Sequence, residues 1–211
     1  MCRRADPYFD GAVAFAAYDG ALRGLIHLLK YGEVKTAAVP LGKLLAVAIE
    51  KLGRPAAPLL VVPVPLDGRK QRERGFNQSE LLARLALAHL KEQGCSAWEL
   101  HANNLKRIRK TESQTGLTRH QRRANVRGAF ALADRAAVRG RSVLLVDDVL
   151  TTGTTLNECA RVLRSAGAEK VWVATVARVF RHAGSKLVPF DGEEKREHRE
   201  DKACVAAAHA L

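Results

Sequence analysis

The chain has 211 residues, a formal net charge of +13 and an apolar fraction of 47%. That length allows one domain with a sizeable core, and the composition excludes wholesale disorder. No stretch approaches the ~20 apolar residues that span a bilayer, and the N-terminus lacks an apolar secretory segment, so we expect a cytoplasmic protein without a membrane span. The four cysteines are widely scattered, which predicts neither a disulfide framework nor an intact metal site.

The apolar pattern predicts strands that alternate with helices. In chain order, the predicted elements are an edge strand over 12–18, helices over 20–31 and 35–51, a strand over 59–65, a helix over 78–93, a strand near Phe130, a strand over 143–146, a helix over 153–166 and a strand over 170–178. This alternation predicts an α/β fold with a mostly parallel sheet and helices on both faces. Cys159 falls on the apolar face of its helix, so we interpret it as a core residue rather than a nucleophile.

A polar, basic stretch, 66–77, follows the strand over 59–65. Ligands of parallel sheets bind beyond the carboxyl ends of the strands, so this stretch is a candidate site. Its cations would stabilise the charge of a leaving diphosphate, and Gly75 would let the backbone approach closely. These cations are Arg69, Lys70, Arg72 and Arg74. The alternative interpretation is a basic loop followed by a helix cap at Asn77 or Ser79.

Residues 101–127 contain eight Lys or Arg residues and one acid, Glu112, so they carry +7 of the net charge. Such a concentrated basic segment favours a polyanionic partner, either diphosphate or nucleic acid. The segment has no Phe, Tyr or Trp, which weakens a base-stacking interpretation. The alternative is a solvated, solubilising face.

The stretch 143–155 gives the strongest functional signal. Its apolar residues, 143–146, indicate a buried parallel strand, and Asp147 and Asp148 follow directly. The next backbone N–H groups lie where a helix begins, so they lack intrahelical partners and can hold a phosphate. They belong to Thr151, Thr152, Gly153, Thr154 and Thr155.

The two carboxylates can accept hydrogen bonds from sugar hydroxyls or help to hold Mg²⁺. Phosphate donors at one end and carboxylates at the other fit a ribose 5-phosphate. The alternative is an ordinary strand-to-helix turn with a capping Thr. The stretch also resembles the 5-phosphoribosyl-1-diphosphate (PRPP) signature of type I phosphoribosyltransferases. That resemblance implies carboxylates on the ribose 2′ and 3′ hydroxyls and the following loop on the 5-phosphate.

A wider set of motifs resembles the ComF family, also called the GntX family or double zinc ribbon and phosphoribosyltransferase proteins. The motifs are, in order, Lys30-Tyr31, Val62–Pro65, Arg74–Ser79, Thr111, Gln114, Leu117, Arg122, Asn125, Ala129-Phe130 and Asp147–Gly153. The resemblance implies a type I phosphoribosyltransferase-like fold and a link to natural competence and incoming single-stranded DNA. It also implies that Arg74, Gly75 and Asn77 lie near the diphosphate. A mobile hood would carry Thr111, Gln114, Arg122 and Asn125.

The resemblance covers about residues 8–179, and we predict that 1–179 form one phosphoribosyltransferase-like domain. Members of the family usually begin with a zinc module of paired Cys-x-x-Cys elements. Here Cys2 stands in the place of its last cysteine, so residues 1–10 are predicted to be a remnant without a zinc site. Residues 180–211 lack an apolar stripe and are predicted to be a disordered, charged extension.

Two functions from different classes fit these observations. The first is an enzyme that binds PRPP or ribose 5-phosphate with Mg²⁺ and transfers the phosphoribosyl group; Gln114 or Asn125 could touch its acceptor. The second is a non-catalytic adaptor that binds single-stranded DNA through 101–127 and senses PRPP or a nucleotide. Competence proteins and a second copy of the chain are further expected partners. A degenerate structural protein is the third and least favoured interpretation, because both acids and the loop are intact.

Overall fold

Five strands form one parallel sheet in the computed structural model, which describes residues 7–32, 34–53, 58–95, 98–111 and 118–180, without the side chains of 119 and 120. They are β1 (Gly11–Ala17), β2 (Leu59–Pro63), β3 (Trp98–Leu100), β6 (Ser142–Leu150) and β7 (Lys170–Arg178). Their spatial order is β1-β7-β6-β2-β3, and each neighbouring pair is parallel. The predicted parallel α/β fold is confirmed, with β1 at an edge.

A separate antiparallel pair is formed by β4 (Leu105–Arg107) and β5 (Phe130–Leu132). The helices of the described residues are α1 (Gly20–Tyr31), α2 (Ala38–Glu50), α3 (Gly68–Arg74), α4 (Gln78–Glu92), α5 (Arg119–Val126) and α6 (Thr154–Ser165). None of these helices is both long and apolar enough to cross a bilayer.

Alternate side chains of the central strands pack into two separate hydrophobic layers. On one face, Val61 and Leu144 pack with buried residues of α2 and α4. On the other face, Val62 and Leu145 pack with residues of α6 and with Phe130 of the antiparallel pair. Because helices cover both faces, β2 and β6 can be apolar almost throughout, as buried parallel strands are. Because β2 and β6 are parallel neighbours, their carboxyl ends lie at the same end of the sheet.

Cys159 lies fully buried in the layer beneath α6. Burial, together with the charges of Asp147 and Glu158, raises the pKa of its thiol well above the ordinary value. A thiol with a raised pKa is a poor nucleophile at neutral pH, which agrees with the predicted core role.

The structure differs from the sequence prediction in several places. Residues 68–74 form the helix α3 instead of a loop, and 98–100 add an edge strand to the sheet. The strand β4 and the helix α5 were also not predicted, and β6 continues to Leu150 instead of ending at Val146. Asp147 and Asp148 therefore lie inside the strand rather than after it. The predicted N-terminal remnant, 1–10, and the predicted C-terminal extension, 180–211, lie largely outside the described residues, which include 7–10 and 180 of them.

Candidate functional site

The acidic pair, Asp147 and Asp148, lies where β6 extends beyond the end of its neighbour β2. Pro63, the last residue of β2, pairs with Val146, whereas Asp147 still pairs with Thr175 of β7 on the other side. One edge of β6 thus loses its strand partner just before the two carboxylates. This arrangement keeps their backbone ordered by β7 while their side chains reach the carboxyl edge of the sheet, where ligands of parallel sheets bind.

Asp148 is held by side chains from two helices. Its Oδ1 lies 2.9 Å from Lys30 Nζ of α1, and its Oδ2 accepts a hydrogen bond of 3.2 Å from Gln78 Nε2 of α4. Only 5% of Asp148 is exposed. Burial alone would lower the pKa of Lys30, but the charge and hydrogen bond of Asp148 reverse that effect and raise it. The Lys30 ammonium group therefore keeps its proton at neutral pH.

Asp147 has a different environment from its neighbour. Its Oδ1 accepts hydrogen bonds from Ser79 Oγ at 2.8 Å and from the backbone N–H of Asp148 at 2.9 Å. Burial and the adjacent charge of Asp148 raise its pKa from 3.8 to about 7, although Ser79 and Lys30 act in the opposite direction. The two carboxylates thus differ: Asp148 is paired with Lys30, whereas Asp147 titrates near neutrality.

The threonine-rich turn forms the start of α6. Gly153 precedes the helix in the left-handed conformation, with φ of 71°, which a residue with a Cβ adopts only with strain. The hydroxyls of Thr152 and Thr154 lie 2.9 Å apart. The turn, 151–156, lines a cavity of about 70 Å³ together with Asp147. The start of a helix, threonine side chains and a carboxylate thus line one small cavity.

A second cavity of about 240 Å³ joins the acidic pair to cationic side chains. Its charged lining consists of Lys30, Lys70, Arg74, Arg107, Asp147 and Asp148, and Thr155 connects it to the threonine-rich turn. A neighbouring cavity of about 230 Å³ shares Lys30, Tyr31, Lys70 and Arg74 with it. The Arg74 guanidinium lies 5.1 Å above the Tyr31 ring, which orients it within this wall.

Three residues were predicted to lie near a diphosphate, and the structure gives them different positions. Arg74 lines the cavity of the acidic pair. Gly75 ends α3 in the left-handed conformation, with φ of 73°. Asn77 caps α4 by accepting from the Ser79 N–H at 3.0 Å, and it donates to the Val64 carbonyl at 3.1 Å. The helix cap that the sequence left as an alternative is therefore present at Asn77.

Sequence reasoning did not select Lys30, Gln78, Ser79 or Arg107 as site residues. The first three stand within motifs quoted for the family resemblance, and that was their only signal. Arg107 of β4 lines the cavity, and its guanidinium lies 5.6 Å from the Phe130 ring and 3.8 Å from Asp67. Burial lowers its pKa. Nothing in the local pattern distinguished it from the other basic residues of 101–127.

Part of the predicted hood is described, and it does not line the cavity of the acidic pair. Thr111 accepts a hydrogen bond from Arg107. Arg122 and Asn125 belong to α5, where the Asn125 carbonyl accepts from Arg109 at 2.8 Å. Gln114 lies outside the described residues. The hood roles stay predictions.

A further cavity of about 760 Å³ lies between α5 and α6, away from the acidic pair. Its charged lining is Arg123, Arg127, Arg161 and Glu158, and Thr154 of the threonine-rich turn also borders it. Glu158 is bound by Arg161 at 2.7 Å and by the Gly128 N–H at 2.8 Å. Because three cations and one acid line this cavity, we call it the α5–α6 basic cleft. Two of the cations, Arg123 and Arg127, belong to the basic segment 101–127.

A family model described as a phosphoribosyl transferase domain matches residues 79–204. Competence protein F of Haemophilus influenzae is 35% identical over 184 residues, which cover 84% of this chain and 76% of that protein. DNA utilization protein YhgH of Salmonella typhi is 36% identical over 183 residues, covering 85% and 77%. Ribose-phosphate pyrophosphokinase of Pyrococcus furiosus is 49% identical over 43 residues, covering 20% and 15%.

Proposed function

Because this chain belongs to the phosphoribosyl transferase domain family, in its ComF group, we propose that it binds PRPP at the end of β6. In this proposal the chain transfers the 5-phosphoribosyl group to an acceptor, with diphosphate as the leaving group. The names of its relatives refer to competence and to DNA utilization, and we propose the same setting for this activity.

One observation carries the proposal: the acidic pair, the threonine-rich turn and several cations line two cavities that share Asp147 and Thr155. The 70 Å³ cavity is lined by the turn at the start of α6, where backbone N–H groups suit a 5-phosphate. Asp147 lines both this cavity and the larger one, so it can accept hydrogen bonds from a sugar whose phosphate lies in the turn. The local match to a ribose-phosphate pyrophosphokinase supports the same class of ligand.

In the proposed reaction, the bond between the anomeric carbon and the diphosphate oxygen breaks while the acceptor attacks that carbon. Arg74, Lys70 and Arg107 line the cavity and would stabilise the negative charge that develops on the diphosphate. The sugar gains positive, oxocarbenium-like character, which the Asp147 carboxylate would stabilise by charge. The turn at 151–155 holds the phosphate end and so orients the anomeric carbon.

Mg²⁺ is the cofactor that this chemistry implies, and the donor set of the site fits it in part. Two carboxylates are present, but Asp148 is already paired with Lys30. Asp147 and Asp148 would hold the ion together with oxygens of the ligand. When bound, the ion would neutralise charge on the diphosphate and make it a better leaving group.

Calorimetric titration with PRPP in the presence of Mg²⁺ tests the proposal. We expect saturable binding by the wild type and its loss in both Asp147→Asn and Asp148→Asn. Asp19→Asn is the matched control, because Asp19 precedes α1 as an exposed residue without a side-chain capping bond. A correctly folded wild type that does not bind PRPP contradicts the proposal, and so does equal binding by the control and both site variants.

The α5–α6 basic cleft favours a second candidate function, the binding of nucleic acid through its phosphates. Exposed Arg123 and Arg127 project from adjacent turns beside Arg161. Phosphate contacts of this kind give an affinity that falls steeply with salt. Replacing Arg123 and Arg127 by Ala is expected to weaken binding of a single-stranded oligonucleotide and to reduce its salt dependence, measured by fluorescence anisotropy. Unchanged binding would remove this candidate.

A further inference from the structure

We propose that Lys30 is a built-in counterion of the acidic pair, which keeps Mg²⁺ out of the site until a phosphate ligand brings it. The inference rests on the proposed function and assigns a role to a residue outside the PRPP signature. Lys30 lies in the last turn of α1, which belongs to the layer of helices on one face of the sheet. Its ammonium group reaches the carboxyl end of β6, where the ligand would lie.

The contacts of Asp148 show why a second cation would find little room there. One carboxylate oxygen contacts the Lys30 ammonium and the other accepts from Gln78. The side chain of Asp148 is 7% exposed and that of Lys30 is 19% exposed, so solvent screens this ion pair poorly. The negative charge of Asp148 is therefore already neutralised within the protein.

The remaining donors offer Mg²⁺ a poor site without a ligand. Mg²⁺ prefers about six oxygen ligands in near-octahedral geometry. Asp147 has one oxygen engaged by Ser79 and the backbone. Within the described ranges, no group of three or more His, Cys, Asp or Glu residues could hold a metal. Most ligand oxygens would have to come from water and from the phosphates of PRPP.

Lys30 differs from the other cations around the cavity. Lys70, Arg74 and Arg107 also line it, yet in the part of the chain that the structure describes, Lys30 alone forms an ion pair with Asp148. The other three cations line the same cavity, and no ion pair between them and Asp148 is seen among the described residues. Lys30 thus neutralises the charge of Asp148, whereas the other cations are available to the leaving diphosphate.

Titration of the protein with MgCl₂ alone, followed by calorimetry, tests this role without PRPP. The wild type is expected to bind Mg²⁺ weakly. In Lys30→Met the buried carboxylate loses its counterion, so the affinity for Mg²⁺ should rise by about tenfold or more. Mg²⁺ should also raise the Tm of Lys30→Met much more than that of the wild type. Lys30→Arg retains the charge and should resemble the wild type.

Two further variants separate the direct contact from a general effect of charge. Lys70→Met removes the same charge from the same cavity and should change Mg²⁺ affinity little. Lys30→Met/Asp148→Asn should lose the gain of Lys30→Met. Equal Mg²⁺ affinity in the wild type and in folded Lys30→Met overturns the inference. If Lys30→Met does not fold, Lys30→Gln is titrated with the same outcomes. Because this titration contains no PRPP, its result can be interpreted even when the protein does not bind PRPP.

Discussion

Asp147 should make the stability of the protein depend on pH near neutrality. Its pKa is raised to about 7 in the folded state, so the folded protein holds this proton more tightly than the unfolded chain does. Its stabilising contribution is complete below pH ~4 and is lost as the pH rises through ~7, at no more than about 1.4 kcal/mol per pH unit.

The Asp147→Asn variant lacks this titration. Relative to it, the wild type should lose free energy of unfolding between pH 5 and 7.5 (about the interval in which the proton leaves), measured in urea. Asp19→Asn, which changes an exposed acid, should keep the slope of the wild type. Parallel pH profiles for the wild type and Asp147→Asn would show that Asp147 is ionised throughout.

At the scale of single residues, the sequence predicted the acidic pair and the threonine-rich turn because strand, acids and turn are contiguous in the chain. It did not predict that Lys30 and Gln78 would divide the two acids into different environments. Those contacts join residues 118 and 70 positions apart in the chain, and no local periodicity encodes such a distance. Asn77 shows the converse case, since its capping role follows from its neighbours.

The close contact between α2 and α4 depends on Gly42. A Cβ built at this position would lie 2.6 Å from Leu85 Cβ, so the two helices would have to separate. Gly42→Ala should therefore lower the free energy of unfolding by about 1–3 kcal/mol. Gly24→Ala in α1 is the matched control, because a Cβ there meets nothing within 4 Å.

The control should have the opposite sign. Alanine is favoured over glycine inside a helix, so Gly24→Ala should stabilise the protein by about 0.5–1 kcal/mol. Both variants are measured by chemical unfolding under one condition. Equal effects at the two positions would mean that α2 and α4 are not packed as closely as described.

Glu158 ties α6 to the turn at Gly128 through a nearly buried carboxylate. Burial would raise its pKa, but the hydrogen bonds from Arg161 and the Gly128 N–H outweigh burial and lower it. Glu158→Gln weakens both interactions and should reduce the free energy of unfolding by about 1–3 kcal/mol. Glu50→Gln, at an exposed site ending α2, should have little effect on urea unfolding. Equal losses would contradict this role.

At the scale of elements, strongly apolar strands and amphipathic helices were predictable, and the short polar elements were not. The helix α3 has no buried residue, so its formation depends on a cap at Asp67, an Arg69–Glu73 pair and the left-handed Gly75. The edge strand β3 has three residues and is only partly buried. Such elements are specified by tertiary contacts, and an apolar period cannot reveal them.

At the scale of the whole molecule, PRPP should stabilise the fold if the family activity is retained. A ligand that binds only the folded protein adds about 2.7 kcal/mol at a concentration of 100 times its Kd. We therefore expect PRPP with Mg²⁺ to raise the Tm of the wild type but not that of Asp147→Asn/Asp148→Asn. An equal shift in both proteins would indicate binding elsewhere, for which the α5–α6 basic cleft is the first place to look.

The sequence predicted that much of the positive charge is concentrated in 101–127, but not that the fold divides these cations between two cavities. The sequence treated 101–127 as one basic segment, whereas the fold sends Arg107 to the acidic pair and Arg123 and Arg127 to the α5–α6 basic cleft. One run of like charges therefore serves two cavities, and only the fold can assign its members.

The central claim is that a sugar phosphate binds where β6 passes into α6, and a crystal structure with bound ribose 5-phosphate tests it most directly. We predict that the phosphate lies within hydrogen-bonding distance of the backbone N–H groups of 151–155 and that a sugar hydroxyl donates to Asp147. A structure in which the ligand occupies the α5–α6 basic cleft, while this corner holds no sugar phosphate, would contradict the account.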